Sequence, residues 1–214
     1  MRSDLEPAGQ KKPTFIEEAR RRQIVETGIQ TIASQGFSQA SLAEIARKAG
    51  ISKGVISYHF AGKEALVDEI LRSLLRQPAE FIKERVSRHD SALGKLRAYI
   101  EANFEFMKTH RDNYVALVDL WGRRGSSGGH SSFNAEAHEP ARHYLAHILD
   151  AGRERGELRQ IPVRTTASVV QAAIDGVMLQ WVFDEEAIDL DVSRAEILEM
   201  VTRHVMPQAT GELR

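Results

Sequence analysis

The stretch Ser41-Leu42-Ala43-Glu44-Ile45-Ala46-Arg47-Lys48-Ala49-Gly50-Ile51-Ser52-Lys53-Gly54-Val55-Ile56-Ser57-Tyr58-His59-Phe60 decides how this chain is read. Ser41 and Glu44 have capping-box spacing, in which each side chain serves the other's backbone N–H, so a helix opens at Leu42. Gly50 is a left-handed stop for that helix, and Ser52 can cap a second short helix from Lys53 to His59. Ala46 is small enough for a close helix crossing, and Gly50 supplies the tight turn. Ile45, Ile51 and Ile56 form an apolar clamp between the two helices. These are the parts of a helix-turn-helix. The second helix is left with its outer face in solvent, and the DNA major groove is wide enough to admit an α-helix.

Upstream, Thr14-Phe15-Ile16-Glu17 repeats the capping-box spacing and predicts a helix start near Thr14. Ile24, Gly28 and Ile32, flanked by Val25 and Ile29, make its inward stripe, and Gly36-Phe37 ends it. Residues 1–13 read as a flexible tail. Downstream, Gly62 interrupts the chain before an amphipathic helix carrying Leu66, Val67, Ile70, Leu71 and Leu74, which Pro78 is expected to break or kink. Further helices are predicted at 79–88, 92–108, 111–122, 137–155, 163–183 and 194–206. The Gly- and Ser-rich segment from Gly122 to Ser132 is predicted to be a mobile loop, and 156–162 a connector. The fold class is all-α: an N-terminal three-helix helix-turn-helix domain (14–62) followed by a helical ligand-binding and dimerisation domain (63–214).

Composition agrees. At 42% hydrophobic and 28% charged residues the chain can bury a core, and its lack of cysteine excludes disulfides, thiolate zinc sites and cysteine nucleophiles. The net charge of −1 is unevenly spread. From Lys11 to Lys63 nine Lys and Arg face four Glu, which leaves the rest of the chain acidic. A basic end on an acidic body suits nucleic-acid binding at that end. No apolar run is read as a membrane span and no signal segment stands at the N-terminus, so a cytoplasmic protein without a membrane partner is expected.

The chain resembles the TetR family of bacterial repressors at Ile24 to Gly36-Phe37, at Ser41 to Ala46, at Ala49 to Ile56, at Tyr58-His59-Phe60 and at Lys63-Glu64-Ala65-Leu66. It departs at Ser57, where many members carry an aromatic. The resemblance implies that residues 53–59 are a recognition helix and that a dimer reads a palindromic operator. It further implies that a small-molecule effector in the C-terminal body releases the DNA, by tilting the helix that carries Leu66 to Leu74. The expected DNA-binding residues are Ser41, Ser52, Lys53, Gly54, Val55, Ser57, Tyr58, His59 and Lys63, with Arg20, Arg21 and Arg22 along the flanking backbone. Gly54 lets the helix approach closely, Val55 can meet a thymine methyl, and Tyr58 can donate to a phosphate. Tyr58 also reads as a partly buried wedge, and the arginine run as a solvated face.

The resemblance also makes the last two helices an intersubunit four-helix bundle. Val170, Ile174, Val177 and Trp181 would form its first face, and Ile197, Val201 and Val205 its second, behind a capping box at Ser193-Arg194-Ala195-Glu196. Periodicity allows the same residues to complete the monomer core instead. Asn103, Phe104, Met107, Tyr114, Trp121, His143, Tyr144, His147 and Met178 are candidates to line an effector cavity, though such a stripe also reads as plain core. His143 and His147 share a helix face just beyond His138 and Glu139. No HExxH pattern accompanies them, and no metal or other cofactor is assigned. No nucleophile elbow or phosphate loop occurs, so no enzyme is read. A regulator without an effector, and an activator, remain as alternatives.

Overall fold

The computed structural model describes residues 14–124 and 130–207, which form nine α-helices with no strand among them. They are α1 (Phe15–Gln35), α2 (Leu42–Ala49), α3 (Lys53–His59), α4 (Lys63–Val86), α5 (Ala92–Thr109), α6 (Arg111–Arg124), α7 (His130–Glu154), α8 (Val163–Phe183) and α9 (Leu190–Val205). The predicted tail at 1–13 and the centre of the predicted loop, 125–129, lie outside the described residues.

Local chemistry places the first three helices. The capping box at α1 is complete: Glu17 N donates to Thr14 Oγ1 at 3.3 Å, and Thr14 N donates to Glu17 Oε2 at 2.7 Å. At α2, Ser41 Oγ accepts from Glu44 N, and Gly50 ends the helix at φ 65° with its N–H turned back to Ala46 and Arg47. Gly28 lies where α1 crosses α4. A Cβ there would come within 2.6 Å of Ile70 Cδ1, so a larger residue would require the tip of Ile70 to move.

The helices close around two cores. The first collects Ile24, Ile29 and Ile32 of α1, Ile45 of α2, Ile56 of α3, Phe60, and Leu66, Ile70 and Leu74 of α4, with Ala116 and Leu120 reaching in from α6. The second holds Ile82 and Val86 of α4 and most of the apolar side chains of α5, α7, α8 and α9, joined by Tyr114 of α6. Trp121 packs against both. Helices α4 and α6 therefore span the two halves, and the first core extends past the 62/63 division into α4.

Three sequence expectations are corrected. Pro78 does not break α4, which continues to Val86; of the expected break or kink, only the break is excluded. Proline removes one helical N–H, but Leu74 and Ile82 on either side are each buried in a core, and that packing outweighs the local cost. A side-chain ladder supports the same turn, with Asn113 Nδ2 of α6 donating to Gln77 Oε1 and Gln77 Nε2 donating to Ser73 Oγ. Second, the predicted loop is shorter than Gly122–Ser132, since α6 continues to Arg124 and α7 begins at His130. Third, α9 starts at Leu190 rather than Arg194. Asp189 takes the cap, its Oδ1 accepting from Asp191 N and Val192 N, so Ser193 lies inside the helix.

Helix α8 is also more apolar than expected. An 18-residue window within its 21 residues has a mean hydropathy of 1.2, which makes the helix long and apolar enough to cross a membrane by that test alone. One face of it is built into the second core. The other is exposed and still apolar, as described below.

Candidate nucleic-acid interface and buried polar cluster

Three helices hold α3 outward. Ile56, with no exposed surface, and Phe60 anchor its inner face in the first core. Arg21 of α1 clamps its C-terminal end: Nη1 donates to the His59 carbonyl at 2.8 Å, and the guanidinium lies 4.3 Å from the Phe60 ring centre. Its other nitrogen is paired with Glu69 of α4 at 2.8 Å. Gln23 Nε2 likewise ties down the Ala49 carbonyl at the end of α2. Arg20 donates to Gln23 rather than facing outward alone. The arginine run is thus divided: Arg20 and Arg21 brace the motif, and Arg22 is exposed.

The outer surface brings Ser41, Ser52, Lys53, Gly54, Ser57 and Tyr58 into solvent together, with Val55 and His59 half-buried beside them. Ser41 and Ser52 accept cap hydrogen bonds through their oxygens, which leaves each hydroxyl proton available to a phosphate. Tyr58 is 74% exposed, which excludes the buried-wedge reading. Its hydroxyl donates to Glu17 Oε1 at 2.9 Å. Lys63 also braces the turn ahead of α2: its ammonium donates to the Phe37 carbonyl at 3.1 Å and lies 4.1 Å from that ring's centre, with two further N–H groups on the same nitrogen.

The same turn meets α6. Phe37 N donates to Asp119 Oδ2 at 2.5 Å, a contact across 82 residues. Asp119→Ala leaves that N–H without its carboxylate, and a loss of about 1–3 kcal/mol is expected for such an orphaned donor. Urea unfolding checks it, and the expectation fails if the midpoint does not move.

In the second core a polar line crosses three helices. Tyr99 Oη donates to Gln171 Oε1 at 2.5 Å, Gln171 Nε2 donates to Asp175 Oδ1 at 2.8 Å, and His138 Nδ1 lies 3.3 Å from Asp175 Oδ2. Trp121 stands 4.9 Å from the His138 ring and Tyr144 stands 6.2 Å from Tyr99. Burial first, and the Asp175 carboxylate second, push the Tyr99 and Tyr114 phenols well above their ordinary range, so both remain neutral donors. Of the predicted effector residues, Asn103, Phe104, Met107, Tyr114 and Met178 are buried in this core and Trp121 and Tyr144 are half-buried. His143 and His147 share a surface pocket with Tyr144 but do not reach the buried members. They are exposed on the outer side of α7 and line a groove of about 320 Å³ with Glu139, Arg142, Asp150 and Arg164. Among the described residues no three His, Asp or Glu side chains are placed to hold a metal ion. Sequence reasoning missed Tyr99, Gln171, Asp175 and Asp119, and it read Glu17 only as a capping residue and Arg21 only as a surface cation.

The expected dimer faces are corrected in register. Val170, Ile174, Trp181, Ile197, Val201 and Val205 are buried in the chain's own second core, and Val177 is half-buried against it. A helix that is apolar all round has a second face to offer. On α8 that face carries Val169, Leu179 and Phe183, which are 63%, 41% and 75% exposed, and on α9 it carries Val192 and Met200. A Cβ at Gly176, on the same side of α8, would meet nothing within 4 Å.

A capped two-helix motif presented outward from a helical body is the arrangement of a helix-turn-helix domain. Residues 24–70 match the bacterial regulatory proteins of the tetR family, and residues 92–207 match the C-terminal domain of the BetI-type transcriptional repressors. The chain belongs to the TetR family of transcriptional regulators. It is 28% identical to the HTH-type transcriptional regulator BetI of Cronobacter sakazakii over 90% of this chain and 92% of that protein. It is 25% identical to the fatty acid metabolism regulator protein of Bacillus subtilis, over 90% and 95%. A regulator from Saccharomonospora viridis solved with choline superposes with a TM-score of 0.79 at 20% identity, covering 89% of this chain and all of that one. FadR of Bacillus subtilis solved with stearoyl-CoA gives 0.73 at 24% identity, covering 84% and 96%.

Proposed function

We propose that this chain is a homodimeric repressor that grips a palindromic operator with α3 of each protomer and releases it when a small organic molecule enters the second core. The observation that carries the reading is the outer face of α3, where Lys53, Ser57 and Tyr58 are exposed together beside the capping hydroxyls of Ser41 and Ser52. Those groups suit phosphates and base edges, and Gly54 leaves room for close approach. One such helix makes too few base contacts for an operator. The exposed apolar face of α8 and α9 supports pairing with a second copy, which doubles them.

The effector is a compact organic cation. Asp175 supplies a half-buried carboxylate at the edge of the second core, beside the aromatic rings of Tyr99, Tyr114, Trp121 and Tyr144, and aromatic faces attract cations. Choline, bound by the Saccharomonospora viridis protein, has that chemistry; the long acyl chain of stearoyl-CoA, bound by FadR of Bacillus subtilis, does not. The switch runs through α4 and α6, the helices with residues in both cores, and Asp119 links α6 to the turn ahead of α2. A ligand that prefers one arrangement of these helices by a few kcal/mol is enough to move the equilibrium.

A gel-shift titration on the DNA upstream of the chain's own gene tests this reading, with choline chloride and stearoyl-CoA as probes. Binding that weakens steeply with salt and is reversed by choline is expected. Absence of any shifted complex overturns the operator assignment, and release by stearoyl-CoA alone overturns the cationic effector.

A further inference from the structure

Glu17 is an acidic side chain placed among the groups that face DNA. Its Oε1 accepts the Tyr58 hydroxyl at 2.9 Å, while Oε2 accepts from Thr14 N at 2.7 Å and from Thr14 Oγ1 at 3.0 Å. Among the described residues it has no ion-pair partner. These hydrogen bonds, the Thr14 backbone N–H foremost, hold its carboxyl below the usual carboxylate range, so it is charged at neutral pH.

A tyrosine hydroxyl has one proton to give. While Tyr58 donates it to Glu17, it cannot donate it to a phosphate. If Tyr58 lets go, Glu17 Oε1 loses its partner and the carboxylate, still held by Thr14 through Oε2, is left beside the strand. If it holds on, the carboxylate still lies one hydrogen bond from a ring that is 74% exposed on that face. In both cases a negative charge meets duplex DNA, which carries a negative charge every ~1.7 Å along its axis.

We propose that Glu17 is an affinity-limiting residue of the DNA-binding face, restraining Tyr58 and opposing the phosphates so that the operator complex is held only as tightly as an effector can undo. This rests on the operator reading above. A weaker complex lies closer to balance, and a ligand with a modest preference between states then suffices to end it. The sequence offers no sign of the role, because the capping box already accounts for a glutamate three residues after Thr14.

Glu17→Gln tests it. Glutamine serves at the third position of a capping box, but its single amide oxygen can accept either from Thr14 N or from Tyr58. The variant therefore removes the charge and loosens one of the two contacts, and a thermal midpoint measured alongside reports any loss of the cap. Affinity is measured by fluorescence anisotropy on a labelled duplex of about 30 base pairs taken from the upstream region, long enough for two half-sites a turn apart. With two copies of the residue per dimer, binding about five- to twentyfold tighter than wild type is expected at about 50 mM salt, from a like charge removed a few ångströms away. The gain should shrink toward about twofold at 0.3 M salt, as the screening length contracts. A role confined to holding the fold would instead shift the thermal midpoint and give a change indifferent to salt. Equal or weaker binding by the folded variant overturns the proposal, as does a gain that salt does not reduce. A wild-type chain that binds no duplex at all overturns the operator reading itself.

Discussion

Glutamate at both Val169 and Leu179 is expected to split the dimer and to lower operator affinity by at least about 100-fold, since one recognition helix retains half the contacts. Both side chains lie on the outer face of α8, 63% and 41% exposed in the single chain. That face continues through Phe183 to Val192 and Met200 of α9, an apolar surface that a lone chain would leave to water. Pairing two such faces buries them, and Gly176 lets the helices approach. Two glutamates per protomer would bring four unpaired carboxylates into the pairing surface, each costing several kcal/mol to desolvate. The monomer itself should survive, because its own core draws on the opposite side of α8, at Val170, Ile174 and Trp181. Light scattering after gel filtration reads the assembly and gel shift reads the DNA. A variant that stays dimeric would show that the chains pair elsewhere.

Phe104→Ala is expected to cost about 3–5 kcal/mol of stability, the usual range for emptying a buried aromatic site. Phe104 has no exposed surface and sits at the centre of the second core, on the helix that packs against α4, α7 and α9. Its neighbours Tyr99 and Asn103 are fixed by hydrogen bonds, Asn103 Nδ2 donating to the Tyr99 carbonyl at 2.8 Å, so the space cannot close easily. The prediction also separates two readings of the same residue. Were Phe104 a wall of the effector site and little else, choline affinity would fall while the unfolding midpoint hardly moved. As a core residue it does the reverse: urea denaturation shifts strongly, and the fraction still folded binds the effector about as before.

The N-terminal module was legible because its determinants are local. Thr14 with Glu17, Ser41 with Glu44, Gly50, and Ser52 ahead of α3 each act within four residues, and such spacing survives any tertiary context. Helix ends decided by competition were harder. Asp189 and Ser193 are both competent caps, and only burial of Leu190 selects the first. Pro78 forecasts a break or a kink, and packing at Leu74 and Ile82 overrides the break. The dimer register was ambiguous in principle, since α8 is apolar on two faces and its period does not say which one its own chain claims. The aromatic stripe located the second core, but its polar line joins residues far apart in sequence: Tyr99 and Gln171 are separated by 72 positions, Phe37 and Asp119 by 82. Arg21 and Lys63 show the converse. Both read as surface cations, and both donate to carbonyls that the fold brings to them.

The central claim is that α3, braced by α1 and doubled by a partner, reads duplex DNA. Selection of bound duplexes from a random pool, followed by sequencing, tests it most directly. An inverted repeat should emerge with half-site centres about one helical turn, ~34 Å, apart, held by two chains, and the enrichment should vanish with Lys53→Glu. A pool that shows no enriched repeat, or one that Lys53→Glu selects equally well, would contradict the account.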